Sequence, residues 1–126
     1  MKRGWIALIL IALTVIGVIY NAGKMYSITG ELSKSLNACT QALREDNWDD
    51  ARQYYEDSFR IFKEHEIYLG AVSRHSELDE IFTSISKLAG HIALQNKEDA
   101  LPELLELRER VDHLAHLEEL TIDNIF

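Results

Sequence analysis

Two stretches hold side chains whose types and spacing suit chemistry. "SRHSELDEI", residues 73–81, sets His75 and Asp79 four apart, with Glu77 and Glu80 alongside. On a helix that spacing shares one face, and an imidazole beside carboxylates suits zinc, iron or acid–base work. One such face supplies two ligands at most, and a surface ion pair with a helix cap uses the same residues. "ERVDHLAHLEE", residues 109–119, sets Glu109 with His113 and Asp112 with His116, again four apart. Carboxylate-bridged di-iron bundles need Glu-x-x-His on inward faces, whereas the residue three before His113 is Arg110 and three before His116 is His113. In register these histidines flank Leu114 and Leu117 rather than replace them, so a solvated or half-buried face is expected.

His65 and His91 stand apart, and no Gly-rich phosphate loop, serine elbow or Cys–His pairing is present. Cys39 is the only cysteine, which excludes an intrachain disulfide and a thiolate metal cage. Its expected role is a small buried apolar side chain. No catalytic, cofactor-binding or metal-ligating residue is assigned, no cofactor is implied, and no enzyme is expected. Trp48, Tyr54, Tyr55, Phe59 and Phe62 can line a groove between helices, but their spacing suits a core wall better. Tyr54 lies off that stripe. Trp48, Tyr54, His75 and Asp79 are the candidate interaction residues.

The elements that position these groups are helical. With one Pro and six Gly among 126 residues, the chain is poor in turn formers, and one domain of roughly 100 residues is long enough for one core. Apolar residues recur at Leu32, Leu36, Cys39 and Leu43; at Trp48, Ala51, Tyr55, Ser58 and Phe62; at Leu78, Ile81, Ile85, Leu88 and Ile92; and at Leu101, Leu104, Leu107, Val111, Leu114 and Leu117. The spacings of three and four predict four helices. Asn47 or Asp46 is the expected cap of the second, Gly70 the C-cap before the third, and Ser73 or Ser76 its N-cap. Pro102 fits only near a helix start, which points to Asp99 as the cap of the fourth, with Asn96 and Lys97 in the turn.

Before these helices comes "WIALILIALTVIGVIY", residues 5–20, without a charge and bracketed by Trp5 and Tyr20. With residues 21–23 it approaches the roughly 30 Å of a bilayer core at about 1.5 Å per residue. A cleaved signal peptide competes, but cleavage after Ala22 would put Tyr20 where a small residue is expected. Lys2 and Arg3 favour a cytoplasmic N-terminus and an extracytoplasmic remainder. The chain has 13 Lys and Arg against 21 Asp and Glu, so everything after Arg3 carries a net charge of −10. Nucleic acid and anionic headgroups would repel such a domain.

The expected organisation is an N-terminal transmembrane anchor at 1–23, a juxtamembrane segment at 24–31 and an extracytoplasmic helical bundle at 32–126. The segment "NAGKMYSITG" is either a hinge or, through Met25, Tyr26 and Ile28, part of one continuous helix. "NWDDA" at 47–51 returns as "NKEDA" at 96–100, and the same shift of 49 carries Leu32 onto Ile81, Leu36 onto Ile85, Cys39 onto Leu88 and Leu43 onto Ile92. Two similar helix–turn–helix units are therefore predicted. The class is all-α, an antiparallel bundle of about four helices, arranged either as a compact bundle or as two stacked hairpins of tetratricopeptide-like pairing.

The basic start with one span, "NWDDA", "SRHSELDEI", "NKEDALPELLELRERVDHL" and the final "DNIF" together resemble domain of unknown function 4363. The resemblance covers nearly the whole chain. It implies a small membrane-anchored protein of a Gram-positive bacterium and implies no activity. The function expected is a non-enzymatic single-pass membrane protein that contacts lipid through its first helix and docks a protein partner, another membrane protein being one candidate. The alternative is an extracytoplasmic sensor of a metal or small apolar ligand.

Overall fold

The computed structural model describes residues 2–125, with side chains described from Lys2 to His116. Five helices follow in order: α1 (Lys2–Arg44), α2 (Trp48–Glu64), α3 (Glu66–Val72), α4 (His75–Ala93) and α5 (Lys97–Ile125). There is no strand among the described residues. The all-α expectation holds, with the one short helix α3 added where the apolar pattern weakens.

α1 is 43 residues long, about 65 Å at helical rise. Its first half is apolar and entirely outside the bundle, and it is long and apolar enough to cross a membrane. Its second half is core: Met25, Ile28, Leu32, Leu36, Cys39 and Leu43 are buried at spacings of three and four. The continuous-helix alternative is thus the one adopted. The core begins at Met25, inside the segment read as juxtamembrane, because Met25, Ile28 and Thr29 share the buried face with Leu32.

α1 packs against α2 and α5, α4 packs against α5, and α2 meets α4 more lightly. Each long helix therefore touches two neighbours. Ser33 on α1 donates to Asp112 on α5, and Lys97 at the start of α5 reaches the end of α1, so these two run antiparallel. The arrangement is a compact up-down-up-down four-helix bundle, which decides against stacked hairpins. All eight core residues matched by the 49-residue shift are buried, as are Phe62, Leu104 and Val111.

The repeated turn is built twice in the same way. Asp46 has φ 58° and Gln95 φ 52°, each in the left-handed region two residues past the last residue of its helix. The amide of Asp46 donates to Leu43 and that of Asn47 to Ala42, at 3.1 and 2.8 Å; Gln95 and Asn96 repeat this with Ile92 and His91, at 3.0 and 2.9 Å. This is the Schellman pair of hydrogen bonds, which satisfies carbonyls left over at a helix C-terminus. The same asparagine then caps the next helix. Asn47 Oδ1 accepts from the Asp50 amide at 3.3 Å, and Asn96 Oδ1 from the Asp99 amide at 3.2 Å. The Ala that ends each motif, Ala51 or Ala100, is fully buried. Both turns lie at the end far from the apolar half of α1, linked by Lys97, whose ammonium donates to the Arg44 carbonyl and Asp46 Oδ1 at 3.3 and 3.1 Å.

Three expected helix ends are corrected. Asn96, not Asp99, caps α5, because its Oδ1 accepts from the Asp99 amide, and Asp99 in turn receives the Asn96 side-chain amide at 2.7 Å. Pro102 therefore lies in the second turn of α5, where its missing N–H leaves the Glu98 carbonyl without its helical donor. Gly70 lies within α3 rather than ending a helix, and α4 opens at His75 behind Arg74 without a side-chain cap from either serine.

Candidate functional site

The four candidate interaction residues do not form one patch. Trp48 opens α2 at the end with the twin turns, half-buried against the core. His75 opens α4 at the opposite end and is exposed, as is Asp79 one turn on. Tyr55 and Ile85 mark one level where α2 meets α4, since the Tyr55 hydroxyl donates to the Ile85 carbonyl at 3.0 Å. Counting residues from that level puts Trp48 and His75 about 25 Å apart along the bundle. Tyr54 and Asp79 also face different grooves. Tyr54 lies between α1 and α2 with Glu31, Lys34, Asp57 and Arg60, whereas Asp79 lies between α4 and α5 with Lys87, Glu103 and Arg110.

The α4–α5 groove is lined by several charged side chains. Arg110 donates to Glu106 at 2.7 Å and to Glu80 across the groove. The Glu106 hydrogen bond, followed by the two carboxylate charges, holds the guanidinium above its ordinary pKa despite some desolvation. Glu77, Glu109 and His113 line the same cavity of about 370 Å³. Among the described residues no three His, Cys, Asp or Glu groups converge as a metal would require. His75 and Asp79 share no hydrogen bond or ion pair, and Asp112 accepts from Ser33 at 3.3 Å. The i, i+4 pair Glu106–Arg110 was readable in "ELRER"; its partner Glu80, thirty residues away, had no local signal.

The aromatic residues are largely structural. Tyr55 stacks on Phe59 with centroids 6.4 Å apart, Phe62 lies 6.5 Å from Phe82, and the Lys63 ammonium covers Phe59 and Phe82 at 5.9 and 5.1 Å. These rings fill the lightly packed α2–α4 edge. Burial, then the Glu56 charge, raises the Tyr55 phenol above its usual pKa. Burial alone pushes the Cys39 thiol up to about 12. Its Sγ donates to the Ala51 carbonyl at 3.3 Å, so it is core, not a nucleophile.

Sequence reasoning also missed how the other end of the bundle is closed. The Tyr68 hydroxyl on α3 donates to the Asn21 carbonyl on α1 at 2.9 Å and contacts the Asn21 side-chain oxygen. Lys24 lies 4.2 Å over the Tyr68 ring. Forty-seven residues separate the hydroxyl from its acceptor, so no local pattern predicts the pair.

Fold and surface together define a helical bundle carried on the end of a long N-terminal apolar helix. Residues 19–125 match the family described as domain of unknown function 4363, and the chain belongs to that family. The match begins at the last residues of the apolar run. No curated protein and no solved structure matches the chain.

Proposed function

We propose that this is a non-enzymatic, single-pass membrane protein whose bundle lies outside the cytoplasm and docks a protein partner, itself membrane-bound. The observation that carries the reading is α1. One unbroken helix is uncovered over its apolar half and supplies one face of the core over the other. A soluble core helix would bury that first half, which favours lipid as its surroundings. Lys2 and Arg3 favour the cytoplasmic side for the N-terminus. In a Gram-positive cell, as the family resemblance implies, the bundle would stand beneath the wall. The α1–α2 groove around Tyr54, flanked by Lys34 and Arg60 on one hand and Glu31 and Asp57 on the other, suits a polar-rimmed contact with an aromatic anchor.

The test is in-cell crosslinking with mass spectrometry on tagged full-length protein in its native membrane. One dominant membrane-protein partner, lost on Tyr54→Ala, is expected. Recovery of only its own copies would overturn the reading.

A further inference from the structure

We propose that α3 is a lipid-contact element, whose outer face around Ile67 rests in the interfacial layer of the leaflet from which the bundle emerges. This rests on the reading of α1 as a membrane span. Ile67 is 92% exposed, barer than Trp5 at 70% in the apolar run itself. Ala71, one turn later on the same face, is also exposed, and the space beside Gly70 between them is open. A bare isoleucine alone is ordinary on a protein surface. Its height is what distinguishes it.

Tyr68 is tied to Asn21 and roofed by Lys24, which fixes α3 beside the first turn after the apolar run. Consecutive Cα atoms are about 3.8 Å apart, so Ile67 cannot lie far from that level. Residues 5–20 rise about 24 Å, short of the roughly 30 Å hydrocarbon thickness. The shortfall draws the turn after Tyr20 toward the hydrocarbon boundary. There the polar groups of Asn21 need protein partners, and the Tyr68 hydroxyl supplies one. Tyr20 and Tyr26, both largely exposed, stand within two turns of each other on α1 at this level, as ring side chains do at a membrane interface. Glu66, the acid beside Ile67, is paired with Lys63 at 3.4 Å, which softens its repulsion from lipid phosphates. Apolar surface placed beside a short span extends the hydrophobic belt sideways, and that is the role assigned to α3.

The test uses full-length protein in nanodiscs of phosphatidylcholine with a minority of phosphatidylglycerol. Three variants, Ile67→Cys, Ile11→Cys and Leu94→Cys, each carry an environment-sensitive fluorophore, with buried Cys39 left in place. Ile67 is on the outer face, so its replacement leaves packing intact, and circular dichroism checks this. Lipids with a nitroxide near the headgroup should quench position 67 strongly and position 94 hardly at all, while a nitroxide deep in the acyl chain quenches position 11. If position 11 is quenched and position 67 stays as bright as 94, the inference on α3 fails and the span stands. If positions 11 and 67 both stay bright, the span reading fails and takes the inference with it.

Discussion

Gln95 offers a substitution whose direction runs against habit. Glycine within a helix usually weakens a protein, by about 0.5–1 kcal/mol, because it has more freedom to lose. At Gln95 the backbone is left-handed, with φ 52°, a conformation that costs an L-residue roughly 1–2 kcal/mol. Gln95→Gly removes that cost, and the difference leaves a net gain of about 0.5–1 kcal/mol. For a domain near 100 residues this corresponds to a rise of roughly 2–8 °C in Tm. The neighbour Leu94 is the control. Its φ is −85° and its side chain is 80% exposed, so Leu94→Gly loses little packing and gains no relief; it should cost about 0.5–1 kcal/mol. Gln95→Ala, which keeps the L-configuration, should stay within about 0.5 kcal/mol of the parent. Asp46→Gly should gain less than Gln95→Gly, since Asp tolerates the left-handed region better and the substitution also breaks the exposed ion pair to Lys97. The assay is urea and thermal unfolding followed by circular dichroism on full-length protein in detergent. If Gln95→Gly destabilises as much as Leu94→Gly, the left-handed cap is not a source of strain and the reasoning is refuted.

Asn47→Ala and Asn96→Ala should each cost about 1 kcal/mol through loss of the helix cap, and matched losses would show that the two turns are energetic as well as geometric copies. Tyr55→Phe should cost about 0.5–1.5 kcal/mol by removing the hydroxyl bond to Ile85 across the lightly packed edge, measured by the urea midpoint. Cys39, held up at about 12, should resist alkylation in the folded protein at neutral pH and react once urea unfolds the chain. Because its folded pKa lies above the unfolded one, its stabilising contribution is complete below about pH 8.5 and is lost as pH rises toward 12. The raised Tyr55 phenol acts in the same direction. The urea midpoint should therefore be level through neutral pH and fall above pH 9, and a fall beginning below pH 8 would contradict the assignment.

Local periodicity carried most of the fold. Leu32 to Leu43 and Ile81 to Ile92 announced their faces because every third or fourth residue must be apolar to reach a shared core. The twin turns were legible because asparagine and aspartate three apart have one efficient use at a helix start. What was misread were ends with weak local signals. Asp99 looked like a cap because Pro102 normally sits in a first turn, and backbone hydrogen bonding put the start at Lys97 instead. Gly70 looked like a terminator, yet nothing near it needs a positive φ. Residue type marks Trp48 and His75 alike as contact residues but says nothing of level along a bundle, and the two occupy opposite ends. Contacts such as Tyr68–Asn21 and Arg110–Glu80 join residues 47 and 30 apart and appear only once helices are assembled.

The unbroken course of α1 fixes more than the height of the bundle. Each residue of an α-helix turns the chain by about 100°, so a continuous helix locks the angular phase of its two halves together. On the proposed reading, the face of the span that meets a neighbouring transmembrane helix and the azimuth at which the Tyr54 groove points are one choice, not two. One residue inserted near Val18 would swing the earlier part of the span by about 100° against the bundle while lengthening it by only about 1.5 Å. A partner that reads both surfaces would lose one of them, and a partner that reads the bundle alone would not notice.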